Sequence, residues 1–342
     1  MNERSKPVIG ITMGDPAGIG PEIVLKSVID PELAKVCDPV VIGDLEFLRE
    51  QARKFGLPVT LEASDPNERE VSANSIAVRD LANVFDVSIS PGVESPEAGR
   101  ASAEYIMEGV ELWRSGVVEA LCTAPINKAS LHLGGYDFPG HTEFLADLTN
   151  TREFRMSFMS GDLRVVLLST HLPLKEAIGK VKKEALVELI RFTDRELSKL
   201  LGRKASLAVA GLNPHASENG LFGDEEQDEI QPAVEACQMV HEIDVKGPFS
   251  PDTVFLRCHK GEFDGVIACY HDQATIAVKC ISFGKGVNVT LGLPLIRTSV
   301  DHGTAFEIAG KGEADHASML AAVSMAADLV NISRDSAAVG EV

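Results

Sequence analysis

The chain is short of positive charge. Thirty-two basic side chains stand against 51 acidic ones, a net charge of −19 over 342 residues. Such a field repels phosphate backbones and anionic lipid surfaces, so neither nucleic acid nor membrane is expected as a partner. It also requires that any anionic substrate meet a local basic cluster. No apolar run reaches the length of a bilayer span. The six cysteines, at 37, 122, 237, 258, 269 and 280, are scattered without CxxC spacing. Cys122, Cys269 and Cys280 lie in or beside apolar runs and read as core thiols. The polar start MNERSKPV lacks the features of a secretory leader, so the cytoplasm is the expected compartment. Internal repeats, low-complexity tracts and a Pro/Gly-rich linker are all missing. That absence is compatible with one domain built from both ends of the chain and a second from its middle.

What is present alternates. Val8–Thr12, Val40–Ile42, Val117–Thr123, Arg164–Thr170, Ser206–Ala210 and Val266–Tyr270 are apolar runs of strand length. Helical patterns follow from Pro21, over Leu45–Phe55, Ala98–Ser115 and Lys182–Leu201, and over an alanine-rich stretch at 316–333. In the second of the longer ones, Ala103, Ile106, Met107, Val110 and Trp113 make an apolar face. Residues 64–95 carry turn residues and read as irregular connections. Alternating strands and helices imply a parallel or mixed sheet covered on both faces, an α/β protein.

The polar residues collect behind strands. After Val266–Tyr270 come His271, Asp272 and Gln273, then Lys279, Asn288, Arg297 and the loop Asp301-His302-Gly303-Thr304. In open α/β sheets ligands bind at the carboxyl ends of strands. His171, His215 and His271 share one context, each closely following an apolar strand. Three imidazoles on one rim suit a divalent metal with open positions, and their wide spacing favours a catalytic over a structural ion. Asp252 and Asp272 fit as further ligands or as carboxylates that orient the imidazoles. Alone, a strand-end histidine is more often a packing or capping residue. Gly14, Gly18 and Gly20 make a strand–glycine loop–helix unit that suits a structural turn as well as a ligand loop. It is not a dinucleotide fingerprint, because Ile23 holds the third glycine position. His141 and Thr142 open a helix, where Thr142 could equally be a plain cap.

These segments, in order GDPAGIGPE, NKASL…FPGHTEF, STHLPL, GLNPHA, PDT, YHDQ, KGVNVTLGLPLIRTSVDHGTA and EIAGKG, resemble the PdxA family, the 4-hydroxythreonine-4-phosphate dehydrogenases. The resemblance runs from about Ile11 to Gly312. It implies a two-domain fold similar to isocitrate and isopropylmalate dehydrogenases, with the active site in the interdomain cleft and no Rossmann domain. Residues 1–125 with 290–342 would form one domain and 126–289 the other. It implies His171, His215 and His271 as ligands of a divalent ion (zinc, magnesium, cobalt or manganese). His141, Thr142, Lys279, Asn288 and Arg297 would bind a small phosphorylated substrate, and Lys279, Asp252 and Asp272 would assist the chemistry. Gly14, Asp15, Ser299, Asp301, His302 and Gly303 would hold NAD or NADP. The family forms homodimers in which the partner supplies part of the metal shell. The implied reaction oxidises a hydroxy acid and removes CO₂. One departure is the start ITMGDPAG, where some biosynthetic members read TPGEPAG. Relatives acting on 4-phospho-threonate, 4-phospho-erythronate or a cis-diol carboxylate therefore stay open, as does a metal-dependent hydrolase using the same histidines.

Overall fold

The computed structural model describes residues 5–64, 74–282 and 285–339. They fall into two compact units: Met1–Phe154 with Gly292–Asn331, and Arg155–Leu291 with Ile332–Val342. Residues 126–154, and with them His141 and Thr142, belong to the first unit.

The first unit carries the strands β1 (Val8–Thr12), β2 (Asp38–Gly43), β3 (Thr60–Ala63), β4 (Ser75–Asp80), β5 (Ala120–Thr123) and β12 (Ile296–Ser299). They lie side by side in the order β3-β4-β2-β1-β5-β12, all parallel. Every residue of β1 and β5 is buried, as strands covered on both faces require. The helix Leu45–Lys54 starts where Asp44 caps it: one carboxylate oxygen accepts the Phe47 amide at 2.9 Å. The other accepts the amides of Val84 and Phe85 at 3.0 Å. The expectation of irregular chain over 64–95 fails at β4, a full member of the sheet. Only Ala77 and Val78 of β4 are buried. Its local signal is therefore weak, and pairing with β2 and β3 creates the strand. Residues 81–95 hold turns and no strand or helix, as expected, and the part of that expectation at residues 65–73 lies outside the described residues.

The second unit carries β6 (Arg155–Ser160), β7 (Leu163–Leu167), β8 (Ser206–Ala210), β9 (Asp244–Phe249), β10 (Gly265–Ala268) and β11 (Val287–Leu291). The order is β11-β6-β7-β10-β8-β9. β6 runs antiparallel to both β11 and β7, and the remaining pairs are parallel. Leu163, Val165, Leu167, Phe255, Val266 and Val278 lie in its core. Neither β6 nor β9 stands out in the sequence, where both carry as many polar or turn residues as apolar ones. Lys279 lies on the helix His271–Ser282.

In the helix Pro96–Arg114, Ala103, Ile106 and Val110 are buried, but Met107 is exposed. Its packing face is set by Gly99, which lets the helix Lys128–Leu133 approach closely. A Cβ at Gly99 would stand 1.7 Å from the Ser130 carbonyl oxygen. Gly99→Ala is therefore expected to lower stability by about 1–3 kcal/mol through overpacking, read by urea denaturation. Gly109→Ala, on the same helix, would meet only side-chain methyls, the nearest at 3.2 Å. It should be much milder, and equal midpoints for the two variants would refute this account.

Candidate functional site

The carboxyl rim of the first sheet gathers three loops. The residue after β1 and its neighbour, Met13-Gly14, turn the chain sharply, with Gly14 at φ +75°. A Cβ there would meet the Pro125 carbonyl oxygen at 2.5 Å, so only glycine fits. The Asp15 amide donates to that same carbonyl at 2.9 Å, and the Ile19 amide donates to Thr304 at 3.0 Å. The glycine loop thus touches both the loop after β5 and the loop after β12. Further on, the buried Glu22 carboxylate accepts the Ala314 amide and the Lys26 ammonium, each at 2.7 Å. Lys26 in turn donates to the carbonyls of Gly312 and Ala314. The two sequence segments implied as cofactor loops are therefore physically joined. Ser299 is buried, its hydroxyl donating to Val300. Asp301 accepts from Ser318 at 3.3 Å. His302 and Gly303 are exposed.

Asp15 is fully buried. One of its oxygens accepts the Ala17 amide at 2.8 Å, while the other is sealed without a hydrogen-bond partner. Burial pushes its carboxyl up to about 6, against the pull of the Ala17 amide.

Beside these loops lies a corner of buried positive charge. Arg297, on β12, is 2% exposed, and its Nε and Nη2 donate to Thr123 Oγ1 at 3.2 and 2.7 Å. Burial lowers the guanidinium to about 10, while the Cys122 thiol and the Glu143 carboxylate raise it, so it remains charged at neutral pH. His141 opens the helix His141–Leu148, with Thr142 in its first turn. Its Nε2 is sealed from solvent without a partner. Burial, and then the charge of Arg297, hold this imidazole neutral, well below the usual histidine range. A buried cation next to an unsatisfied imidazole suits a bound anion.

In the second unit the strand-end histidines separate into a pair and a single. His171 follows β7, and His271 opens the helix His271–Ser282. Their ring centres are 5.5 Å apart. Two imidazoles on one tetrahedral ion at about 2.1 Å would place their centres about 5 Å apart, so this pair fits a shared metal. Asp272 stands 2.7 Å from His271 Nδ1, where a carboxylate holds the ring in one tautomer. His215 sits elsewhere, its ring 6.4 Å from Phe222. It lies on a turn in which residues 215–219 all have φ between 46° and 66°. That left-handed backbone costs these non-glycine residues strain. Among the described residues, no group of three or more His, Cys, Asp and Glu side chains is placed to hold a metal. Asp252 is exposed in the first turn of the helix Pro251–His259. Lys279 is exposed two turns beyond His271. Asn288, on β11, keeps its side-chain oxygen buried and unpartnered.

Three residues support these loops and the buried charge, and two of them escape a reading by motif. Gln273 accepts the Cys269 amide at 2.7 Å and donates to the Gly211 carbonyl at 2.8 Å. It thereby staples the loop of His271 to the loop of His215. Glu226, in a stretch that reads as an acidic surface loop, is buried and accepts both the amide and the side chain of Asn213. Thr123 holds Arg297. The sequence signal for Gln273 is its place within YHDQ; the other two carry none.

The buried Asp15 sets a test. Unfolded, it titrates near 3.8, and folded near 6, so the folded chain holds the extra proton between these values. Its contribution favours folding below about pH 4 and is lost as pH rises through about 6, a change of about 3 kcal/mol. The stability of Asp15→Asn relative to the wild type should therefore climb between about pH 4 and 6 and level off above about 7. A gap that stays flat in denaturation across that range would show that Asp15 ionises normally.

A family model described as the pyridoxal phosphate biosynthetic protein PdxA matches residues 35–326. The D-threonate 4-phosphate dehydrogenase of Cupriavidus necator is 45% identical over 325 residues, 94% of this chain and 97% of the relative. The 4-hydroxythreonine-4-phosphate dehydrogenase of Desulfosudis oleivorans is 43% identical over 330 residues, 96% of this chain and 97% of the relative. The crystal structure of 4-hydroxythreonine-4-phosphate dehydrogenase from Klebsiella pneumoniae superposes with a TM-score of 0.88 at 41% identity, covering 95% of this chain and all of that one. A terephthalate 1,2-cis-dihydrodiol dehydrogenase from Burkholderia xenovorans is more distant, with a TM-score of 0.62 at 27% identity over 94% and 98% of the two chains. With its family match spanning most of the chain, and relatives above 40% identity along nearly all of it, the protein belongs to the PdxA family.

Proposed function

We propose that the protein is an NAD(P)-dependent, divalent-metal-assisted dehydrogenase that oxidises and decarboxylates a four-carbon hydroxy acid phosphorylated at C4. The observation that carries the substrate class is the buried Arg297 beside the neutral, unsatisfied His141, in a protein of net charge −19. The first substrate is 4-phosphooxy-L-threonine, yielding 3-amino-2-oxopropyl phosphate for pyridoxal phosphate synthesis. A second reading is 4-phospho-D-threonate, favoured by the D-threonate 4-phosphate dehydrogenase at 45% identity, or 4-phospho-D-erythronate. The substrates of the two readings differ at C2, which bears an amine in the first and a hydroxyl in the second.

The reaction removes hydride from C3 and a proton from its hydroxyl. The resulting β-keto acid then loses CO₂, and C2 takes up a proton. When bound, the nicotinamide accepts the hydride and the divalent ion acts as Lewis acid. The protein's own groups orient and neutralise. Arg297, His141, Thr142 and Asn288 bind the anionic end of the substrate. His171, His215 and His271 hold the ion, and Asp272 keeps the His271 ring in one tautomer. Lys279 moves the proton, and Asp252 supports the histidines. Gly14, Asp15, Ser299, Asp301, His302 and Gly303 cradle the dinucleotide, with backbone and hydroxyl groups suited to phosphate and ribose. The assembly is a homodimer in the cytoplasm, each site taking part of its metal shell from the partner copy.

Three measurements test this reading. Arg297→Ala should raise KM for the phosphorylated acid by roughly ten- to a hundred-fold, the loss of one charged hydrogen bond, with KM for NAD little changed. Across a panel of phosphorylated and unphosphorylated acids, NADH absorbance should appear only with the former. Release of inorganic phosphate without NADH would instead identify a metal-dependent hydrolase. For assembly, His215→Ala and His271→Ala subunits, each inactive alone, should regain up to roughly a quarter of wild-type activity when mixed, since half the dimers carry one intact site. No recovery despite proven subunit exchange would mean that each chain builds its own site.

A further inference from the structure

Thr123 is the last residue of β5, and in register it faces Thr12 of β1 on one side and Ser299 of β12 on the other. Residues in register on neighbouring strands project to the same face, and Arg297 lies two residues before Ser299 on its strand. A row of hydroxyls and one guanidinium therefore share one face at the rim. Thr123 is fully buried, and Thr12 keeps its hydroxyl buried and unpartnered beside it. Thr123 Oγ1 accepts from Nε and Nη2 of Arg297 at 3.2 and 2.7 Å. A hydroxyl oxygen has two acceptor sites, and both are used. Two bonds to one edge of a planar fork fix both its plane and its direction.

The chemistry of that partner matters. A carboxylate in place of Thr123 would also orient the guanidinium, but it would neutralise the charge and compete with an incoming anion. A hydroxyl orients without neutralising. We propose that Thr123 is a positioning residue for the substrate's phosphate: it aims the buried Arg297 while leaving its charge available to the ligand. The proposal rests on the reading that Arg297 meets the phosphate.

The test compares Thr123→Val, which keeps the shape and removes the acceptor, with Thr123→Ser, which keeps the acceptor, and with Arg297→Ala. The readouts are kcat, KM for the phosphorylated acid that turns over, KM for NAD, and competitive inhibition by inorganic phosphate. Thr123→Val is expected to raise KM for the acid and the inhibition constant of phosphate by about ten-fold each, the loss of one charge-assisted bond. Its kcat and KM for NAD should stay within about two-fold, and Thr123→Ser should match the wild type. Thr123→Ala serves in the same role if the valine variant does not fold. The proposal is overturned if the valine or alanine variant keeps wild-type KM while Arg297→Ala raises it. It is also overturned if Thr123→Ser loses as much as Thr123→Val, which would assign the effect to packing of the methyl group. If Arg297→Ala itself leaves KM unchanged, the parent reading has failed, and this one with it.

Discussion

A guanidinium buried at the ends of parallel strands is the interaction on which the candidate site depends. Removing a charge from water is expensive, and the cost is tolerated where hydrogen bonds and an opposite charge take over the role of solvent. Around Arg297 the chain supplies a threonine hydroxyl, a thiol held protonated by burial up to about 12, and the more distant Glu143 carboxylate. The neighbouring His141 is kept neutral by the same burial and the same charge. Buried polar atoms without a protein partner, such as His141 Nε2, are poised for a ligand. The sharp turn at Gly14, the buried Asp15 and the loop joined through Thr304 lie on the same sheet rim, so cofactor and anion readings draw on one piece of architecture.

The second unit solves a different problem, which is to hold imidazoles on loops. Its devices are a strained left-handed turn under His215, an amide staple from Gln273 and a buried carboxylate from Glu226. Loops placed this way trade stability for position, a trade commonly found where function needs one geometry. The His171 and His271 rings stand 5.5 Å apart, and His215 lies on its own turn beside Phe222.

Much of the outline was legible in the chain. β1, β2, β8 and β10 are continuous apolar runs because both faces are covered, and burial on both faces leaves a plain signature. Lys183–Leu201 reads as a helix because one stripe is buried and the rest is wet. β4, β6 and β9 were illegible for the opposite reason. β4 and β9 carry few buried side chains, β6 mixes polar with apolar ones, and each becomes a strand because a neighbour offers its hydrogen bonds. Met107 fits the apolar period yet faces solvent, since the contact at Gly99 sets which side of that helix packs.

By itself the sequence determined the class of fold, the residues that end each buried strand, the acidic balance that demands a local basic cluster, and the family to which these motifs belong. These are properties of composition, period and order, and they survive without coordinates. Only the tertiary structure decided that Thr123 holds Arg297, across 174 positions of chain. Only it decided that Gln273 reaches Gly211 and that Glu226 is a buried clamp rather than a surface acid. Such contacts join residues distant in sequence through strand order and register. No local period encodes which strand lies beside which, so the partners of a buried polar group become visible only once the sheet is assembled.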